Sequence, residues 1–112
     1  MAAKVEIDSG ICGMHTTVWA ETDMATYRCR LKIVSSCEAI QKLAQEIPEV
    51  NAFQEISLRR GDGPEVLRKG MELCFHSACP VPAGIIKAVE VASQLALPKD
   101  ACIKVSKIDS IP

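Results

Sequence analysis

Between Thr26 and Val34 the chain alternates: Tyr27, Cys29, Leu31 and Ile33 fall on one side of an extended backbone, and Thr26, Arg28, Arg30 and Lys32 on the other. A period of two with charge confined to one side describes a strand whose sheet has one dry face and one wet face. That limits the fold, because helices must cover the dry face and leave the other to water. The preceding run, His15 to Glu21, has the same character. The two runs predict a β-hairpin closed by Thr22-Asp23-Met24. Lys4 to Asp8 alternates weakly and can open the chain as a strand. Trp19 reads as an amphipathic strand residue.

Helical spacing follows. Ser35 with Glu38 has the form of a capping box, Ile40, Leu43, Ala44 and Ile47 recur on one face, and Pro48 stops the helix. Glu49 to Leu58 is ambiguous, with Phe53, Ile56 and Leu58 offering apolar contact from a short helix. Arg59-Arg60-Gly61-Asp62-Gly63 reads as a solvated loop, too short for a phosphate cradle. Pro64 suits the first turn of a helix whose inward stripe is Val66, Leu67, Gly70, Met71 and Cys74. Cys79-Pro80-Val81-Pro82 leads into a long amphipathic helix with Ile85, Ala88, Val89 and Ala92 inward. Ala101 to Ile108 alternates again and predicts a closing strand with Ile103 and Val105 inward. The expectation is therefore one α+β domain over residues 1–112: a small antiparallel sheet, made of the early hairpin plus a C-terminal strand, covered on one face by three or four helices.

Composition removes several functions. A net charge of −1 leaves no basic footprint for nucleic acid or an anionic membrane. Trp19, Tyr27, Phe53 and Phe75 are too few for a base-stacking platform. No run approaches the roughly 18 apolar residues of a membrane span. The first residues read as a polar strand rather than a signal peptide, which predicts a cytoplasmic protein. No acid–base pair, Ser-His-Asp arrangement or nucleotide loop is visible, so a catalyst of bond chemistry is not the expectation.

Six cysteines then need a reason. In reducing cytosol a cysteine-rich chain points to metal binding or redox chemistry, and the plain alternative is that the thiols pack as small hydrophobes. Cys29 lies on the dry face of its strand and Cys102 lies out of phase with the inward face of the closing strand, so packing is the reading for both. The other four sit at element boundaries. Cys12 stands between Gly10 and Gly13, where a sharp bend lets main-chain N–H groups approach a sulfur, or where a turn simply holds a thiol. Cys37 falls in the first turn of a helix, where the dipole stabilises a thiolate. Cys74 ends an inward stripe, and Cys79 precedes a helix start. These four are the predicted ligand set, with His76 and His15 as weaker candidates. Soft sulfur donors select zinc, Cu(I) or an iron–sulfur cluster over magnesium or calcium, and spacing does not separate these.

The layout resembles the IscU/NifU-type iron–sulfur scaffolds. In that family a Cys-Gly lies in an early hairpin loop, a Gly-Cys starts a helix, and a later His-Cys opens another helix with an Ala/Ile-rich run. Gly10-Ile11-Cys12-Gly13, Ser36-Cys37-Glu38-Ala39-Ile40, and His76-Ser77-Ala78-Cys79 with Ile85-Ile86-Lys87-Ala88 resemble these in turn. Cys74 to Pro80 also resembles the small-domain family marked by Thr-Ser-Cys-Pro, which keeps a four-cysteine layout of this kind. The resemblance implies an IscU-like fold, a thiolate site, and a protein partner for cluster or metal transfer. Three features depart from the scaffold pattern. Met14 stands where the scaffolds carry the Asp that modulates cluster release, His76 is three residues before Cys79 rather than adjacent to it, and the chaperone-binding motif is not evident. Two other functions stay open: a thiol–disulfide protein cycling Cys74 and Cys79 with Cys37 as the attacking thiol and no metal, and a structural interaction module.

Overall fold

A computed structural model describes residues 1–74 and 76–112. The elements in chain order are β1 (Ala2–Asp8), β2 (His15–Asp23), β3 (Arg28–Ser35), α1 (Glu38–Glu46), β4 (Glu49–Asn51), α2 (Ala52–Glu55), α3 (Glu65–Leu73) and α4 (Val81–Ala92). The four strands form one antiparallel sheet in the order β1-β2-β3-β4. The expected α+β class, with helices on one face of a small antiparallel sheet, is what the chain adopts.

Register explains which face is dry. Val5 pairs with Val18 and Val18 with Ile33, while Thr22 pairs with Cys29 and Cys29 with Val50. All point to the helices, where Val18, Cys29 and Val50 lose all solvent contact beside Ile40, Leu43, Ile47, Val66, Ile85 and Val89. The opposite face carries the charges. Trp19 lies there, with the Lys4 and Lys32 ammonium groups 5.9 and 5.4 Å from its ring centroid. Arg30 pairs with Glu21, and Arg28 with Glu49 at 3.3 Å. Exposed pairs of this kind add little to stability and chiefly keep that face wet.

Two close approaches seat the long helix. A Cβ built on Gly84, in the first turns of α4, would lie 2.3 Å from Ile7 Cδ1 and 2.8 Å from Cγ1, so α4 rests on β1 at a distance only glycine allows. Gly70 of α3 meets Pro82 of α4 in the same way, with Cγ 3.2 Å from the position of an added Cβ. At its other end α4 is tied to the sheet by the buried Thr22–Ser93 hydroxyl pair at 2.8 Å. Helix α3 begins at Pro64, whose ring offers no cap. Glu55 supplies it from α2: its carboxylate, 1% exposed, accepts from the N–H groups of Glu65 and Val66, each at 2.8 Å.

Several expectations need correction. The segment from Ala101 to Ile108 is not a closing strand; it forms no regular element and is unpaired among the described residues, with Ile103 and Val105 82% and 91% exposed. Lys4 to Asp8 does open the chain as a strand, within β1, and the sheet's fourth strand is β4, from the stretch that was ambiguous. Alternation alone told an extended segment apart from a helix but not a paired strand from an unpaired one. The hairpin turn lies later than predicted, at Met24 to Tyr27, with Tyr27 at φ +58° and its N–H bonded to Asp23 O at 2.6 Å. Ser35 and Glu38 form no capping box, because the helix starts two residues later, with Cys37 as its N-cap. Met71 is 85% exposed and leaves the inward stripe of α3 to Val66, Gly70 and the half-buried Leu67 and Leu73.

Candidate functional site

One end of the sheet gathers four chain junctions. The β1–β2 loop and the β3–α1 junction are tied there: Ser36 N–H donates to His15 O at 3.2 Å, and His15 N–H donates to Ser36 Oγ at 3.1 Å. Ser36 Oγ also reaches Met14 Sδ at 3.4 Å. Helix α4 starts at the same end, because Gly84 sits on Ile7, near the close of β1. Helix α3 finishes there too, through its Gly70 contact with Pro82.

Each boundary carries a cysteine. Cys37 is the N-cap of α1, with an extended backbone at φ −89° and ψ 123°. Ser35 Oγ accepts its N–H at 3.1 Å, and Gln41 Nε2 donates to Ser35 O at 2.8 Å, so the junction is braced from both sides. Cys74 is the C-cap of α3, its N–H bonded to Gly70 O at 2.8 Å. Cys79 directly precedes Pro80, the N-cap of α4, and its N–H donates to His76 O at 3.1 Å. All three are half-buried and pack against the core beside Leu73 and Ile86.

Two of these thiols act on the third. Burial pushes the Cys74 thiol above its ordinary range, and the neighbouring charges that Cys79 and Cys37 would carry push it further. Like charges raise a thiol in this way only at short range in a poorly screened setting. Cys37, 37 residues away in the chain, and Cys79, five residues away, therefore both lie near Cys74.

Cys12 differs. It lies in the loop at the same end, fully exposed, with Gly10 and Gly13 both at positive φ and Gly13 N–H bonded to Gly10 O at 2.9 Å. It is not among the groups that shift Cys74. His76 and His15 are exposed, the first in the turn before Cys79 and the second opening β2. Among the described residues no three or more His, Cys, Asp or Glu side chains stand close enough to hold a metal ion as placed. The structure thus gathers three of the four predicted thiols and does not close them into a cage.

Cys29 is fully buried, and desolvation pushes its thiol up, partly offset by a hydrogen bond with Thr22. It packs, as the strand pattern implied. Cys102 is exposed on the C-terminal segment, away from any packed face. A shallow groove of about 420 Å³ beside α1, lined by Ile33, Val34, Ser35, Gln41, Ala44 and Gln45, holds no thiol or titratable group. Of the residues that bring the junctions together, the sequence marked Gly70 only as part of an inward stripe and Ser36 only as a neighbour of Cys37, and Gly84 not at all. A glycine inside a helical pattern just after Pro82 was the one available signal for close helix contact.

Residues 3–105 match a family described as a Family of unknown function, DUF6951. The chain belongs to that family. No curated protein and no solved structure matches it. The match takes in the whole thiol end, from the Cys12 loop to the start of α4, together with most of the exposed C-terminal segment. No helix among the described residues is long and apolar enough to cross a membrane.

Proposed function

We propose that this member of the family binds a soft metal ion, zinc, or an iron–sulfur cluster through the thiolates of Cys37, Cys74 and Cys79, with Cys12 as the fourth donor from the adjoining loop. The observation that carries the reading is the meeting of three helix ends that each bear a thiol, two of which act on the third, Cys74. A chain that needed small hydrophobes there has no reason to place sulfur at each of three adjoining helix ends. The donor set fits such a group chemically, since thiolates prefer soft metals. Its spacing does not yet enclose one, so binding has to draw the sulfurs inward. That is physically reasonable: thiolates repel each other until a cation compensates them, and metal sites commonly form on binding. Cys74 and Cys79 both lie outside helices, so they can approach without unwinding one. The likeness of this layout to IscU/NifU-type scaffolds belongs to the same proposal, and so does a carrier role toward a protein partner in the cytoplasm.

A second reading has its own support. The thiols nearest in sequence, Cys74 and Cys79, flank a turn closed by the Cys79–His76 hydrogen bond, and of the two cysteines acting on Cys74, Cys79 acts more strongly. A pair so placed can cycle between dithiol and disulfide, passing two electrons and two protons to a disulfide partner.

One experiment separates them. The protein is purified without oxygen, its visible spectrum recorded, and zinc, iron and acid-labile sulfide measured per chain. Brown protein with iron and sulfide, or colourless protein with one zinc, supports the thiolate site. Metal-free protein with a reversible Cys74–Cys79 bridge supports the redox reading. Metal-free protein that forms no such bridge removes both.

A further inference from the structure

The C-terminal segment has the alternation of a strand and no sheet to join. From Leu97 to Pro112 every residue is exposed, and none pairs among the described residues. Ile103, Val105 and Ile111 are each more than 80% exposed. Ile103 and Val105 alternate with Cys102, Lys104 and Ser106 in the pattern of a half-buried strand. The molecule measures 52 Å along its longest axis against 31 and 26 Å across, so this arm reaches out from the helix-covered sheet rather than folding back on it.

The same chain has a sheet edge without a strand. β1 pairs only with β2, which leaves the other side of its backbone free along seven residues. Open edges of that length accept an added strand, and proteins rarely leave them uncovered. The two features match in detail. The inner side of β1 carries Ala3, Val5 and Ile7, of which Ala3 and Val5 are only partly buried, so Ile103 and Val105 laid beside them would extend the apolar face. The outer side carries Lys4, Glu6 and Asp8, two acids against one base, and would face Lys104. Setting Lys104 opposite Glu6 puts both apolar residues inward, because side chains alternate with a period of two.

We propose that residues 101–108 add as a fifth strand to the β1 edge of a second copy of this chain, each copy lending its arm to the other in a two-fold dimer. Such an exchange is isologous and closes on itself, so it yields dimers and not fibres. It buries the apolar arm that otherwise stands in water.

The test uses the full chain. Sedimentation equilibrium in reducing buffer, from micromolar to high-micromolar protein, should show a dimer for the wild type. The double variant Ile103→Lys/Val105→Lys should weaken that dimer by about tenfold or more, since it removes apolar burial at two positions. Its helical far-UV circular dichroism should be unchanged, with only the added strand's contribution lost, because the arm packs against nothing in the monomer. Oxidation then reports the pairing directly. With Lys104 opposite Glu6, the native Cys102 faces residue 4 if the arm adds parallel and residue 8 if it adds antiparallel. Lys4→Cys or Asp8→Cys, one of the two, should give a disulfide-linked dimer that Cys102→Ser abolishes. A wild type that stays monomeric, a dimer indifferent to the double variant, or a Cys102 bridge formed at monomer mass would each overturn the proposal, the last by showing that the arm docks on its own sheet.

Discussion

Replacing Gly84 by alanine should destabilise this protein, although alanine is the better helix former. Gly84 lies inside α4, where the change to alanine is worth about 1 kcal/mol in helix propensity. Against that, the new Cβ would sit 2.3 Å from Ile7 Cδ1 and 2.8 Å from Cγ1. Carbon atoms settle about 3.5–4.0 Å apart, so a shift of more than about 1 Å is forced on the helix or on Ile7. Rotating the end of Ile7 removes the first collision and leaves the second. Ile7 is itself nearly buried, so its neighbours must give as well. Overpacking of this kind costs about 1–3 kcal/mol, which leaves a net loss of up to about 2 kcal/mol once the helix gain is counted. The assay is urea unfolding of the four members of a cycle: wild type, Gly84→Ala, Ile7→Ala and the double variant. In the Ile7→Ala background both colliding carbons are gone, and Gly84→Ala should be neutral or stabilising. A Gly84→Ala that stabilises the wild type as much as it stabilises Ile7→Ala would refute the claim that α4 is seated on β1 by this contact, and with it the placement of Cys79.

Four more outcomes follow from named contacts. Glu55→Ala should cost about 2 kcal/mol or more in chemical unfolding, because it strands the two N–H groups at the start of α3 that the carboxylate accepts; a loss below about 0.5 kcal/mol would mean that water caps that helix. Burial lifts the Glu55 carboxyl above its ordinary value, with the two N–H groups pulling against that, so the folded state holds its proton more tightly than the unfolded chain. Its contribution is then full at acid pH and declines as pH rises past the ordinary carboxyl range, and Glu55→Gln should flatten that part of the pH–stability curve relative to wild type. The Cys74 thiol, raised by burial and by its two neighbours, works in the same direction at alkaline pH. Cys79→Ala should lower the pH at which Cys74 reacts with a thiol reagent, and an unchanged profile would show that the two sulfurs do not sense each other. Cys29→Ala should cost about 1–2 kcal/mol as a small core truncation and leave metal content intact; lost metal would show that Cys29 faces the site.

How far the sequence could be read depended on whether the signal was local. The alternation of Tyr27 to Ile33 and the helical spacing of Ile85 to Ala92 are local: the strand buries Cys29 and partly buries Leu31 and Ile33, with Tyr27 in the turn before it, and the helix buries Ile85, Ala88, Val89 and Ala92. Cys37, Cys74 and Cys79 were legible as boundary residues because capping and proline chemistry mark boundaries. Their meeting depends on Gly84 against Ile7 and Gly70 against Pro82, contacts between residues far apart in the chain that no periodicity announces. The Glu55 cap was invisible for the same reason: ten residues separate it from Glu65. The arm shows the converse. Ala101 to Ile108 has the alternation of a strand, and alternation says nothing about whether a partner edge lies within reach.

The central claim is that three sulfurs from three helix ends serve one soft ion. Titration of the anaerobic, reduced protein with Co(II), followed by the thiolate-to-metal absorption in the near ultraviolet, tests it most directly. The account predicts saturation at one ion per chain. The absorption should fall by about a quarter, one thiolate bond of four, when Cys37, Cys74 or Cys79 is replaced singly by alanine, and should hold steady when Cys29 or Cys102 is replaced. Absorption that none of the three replacements diminishes, or a chain that takes up no cobalt at all, would contradict it.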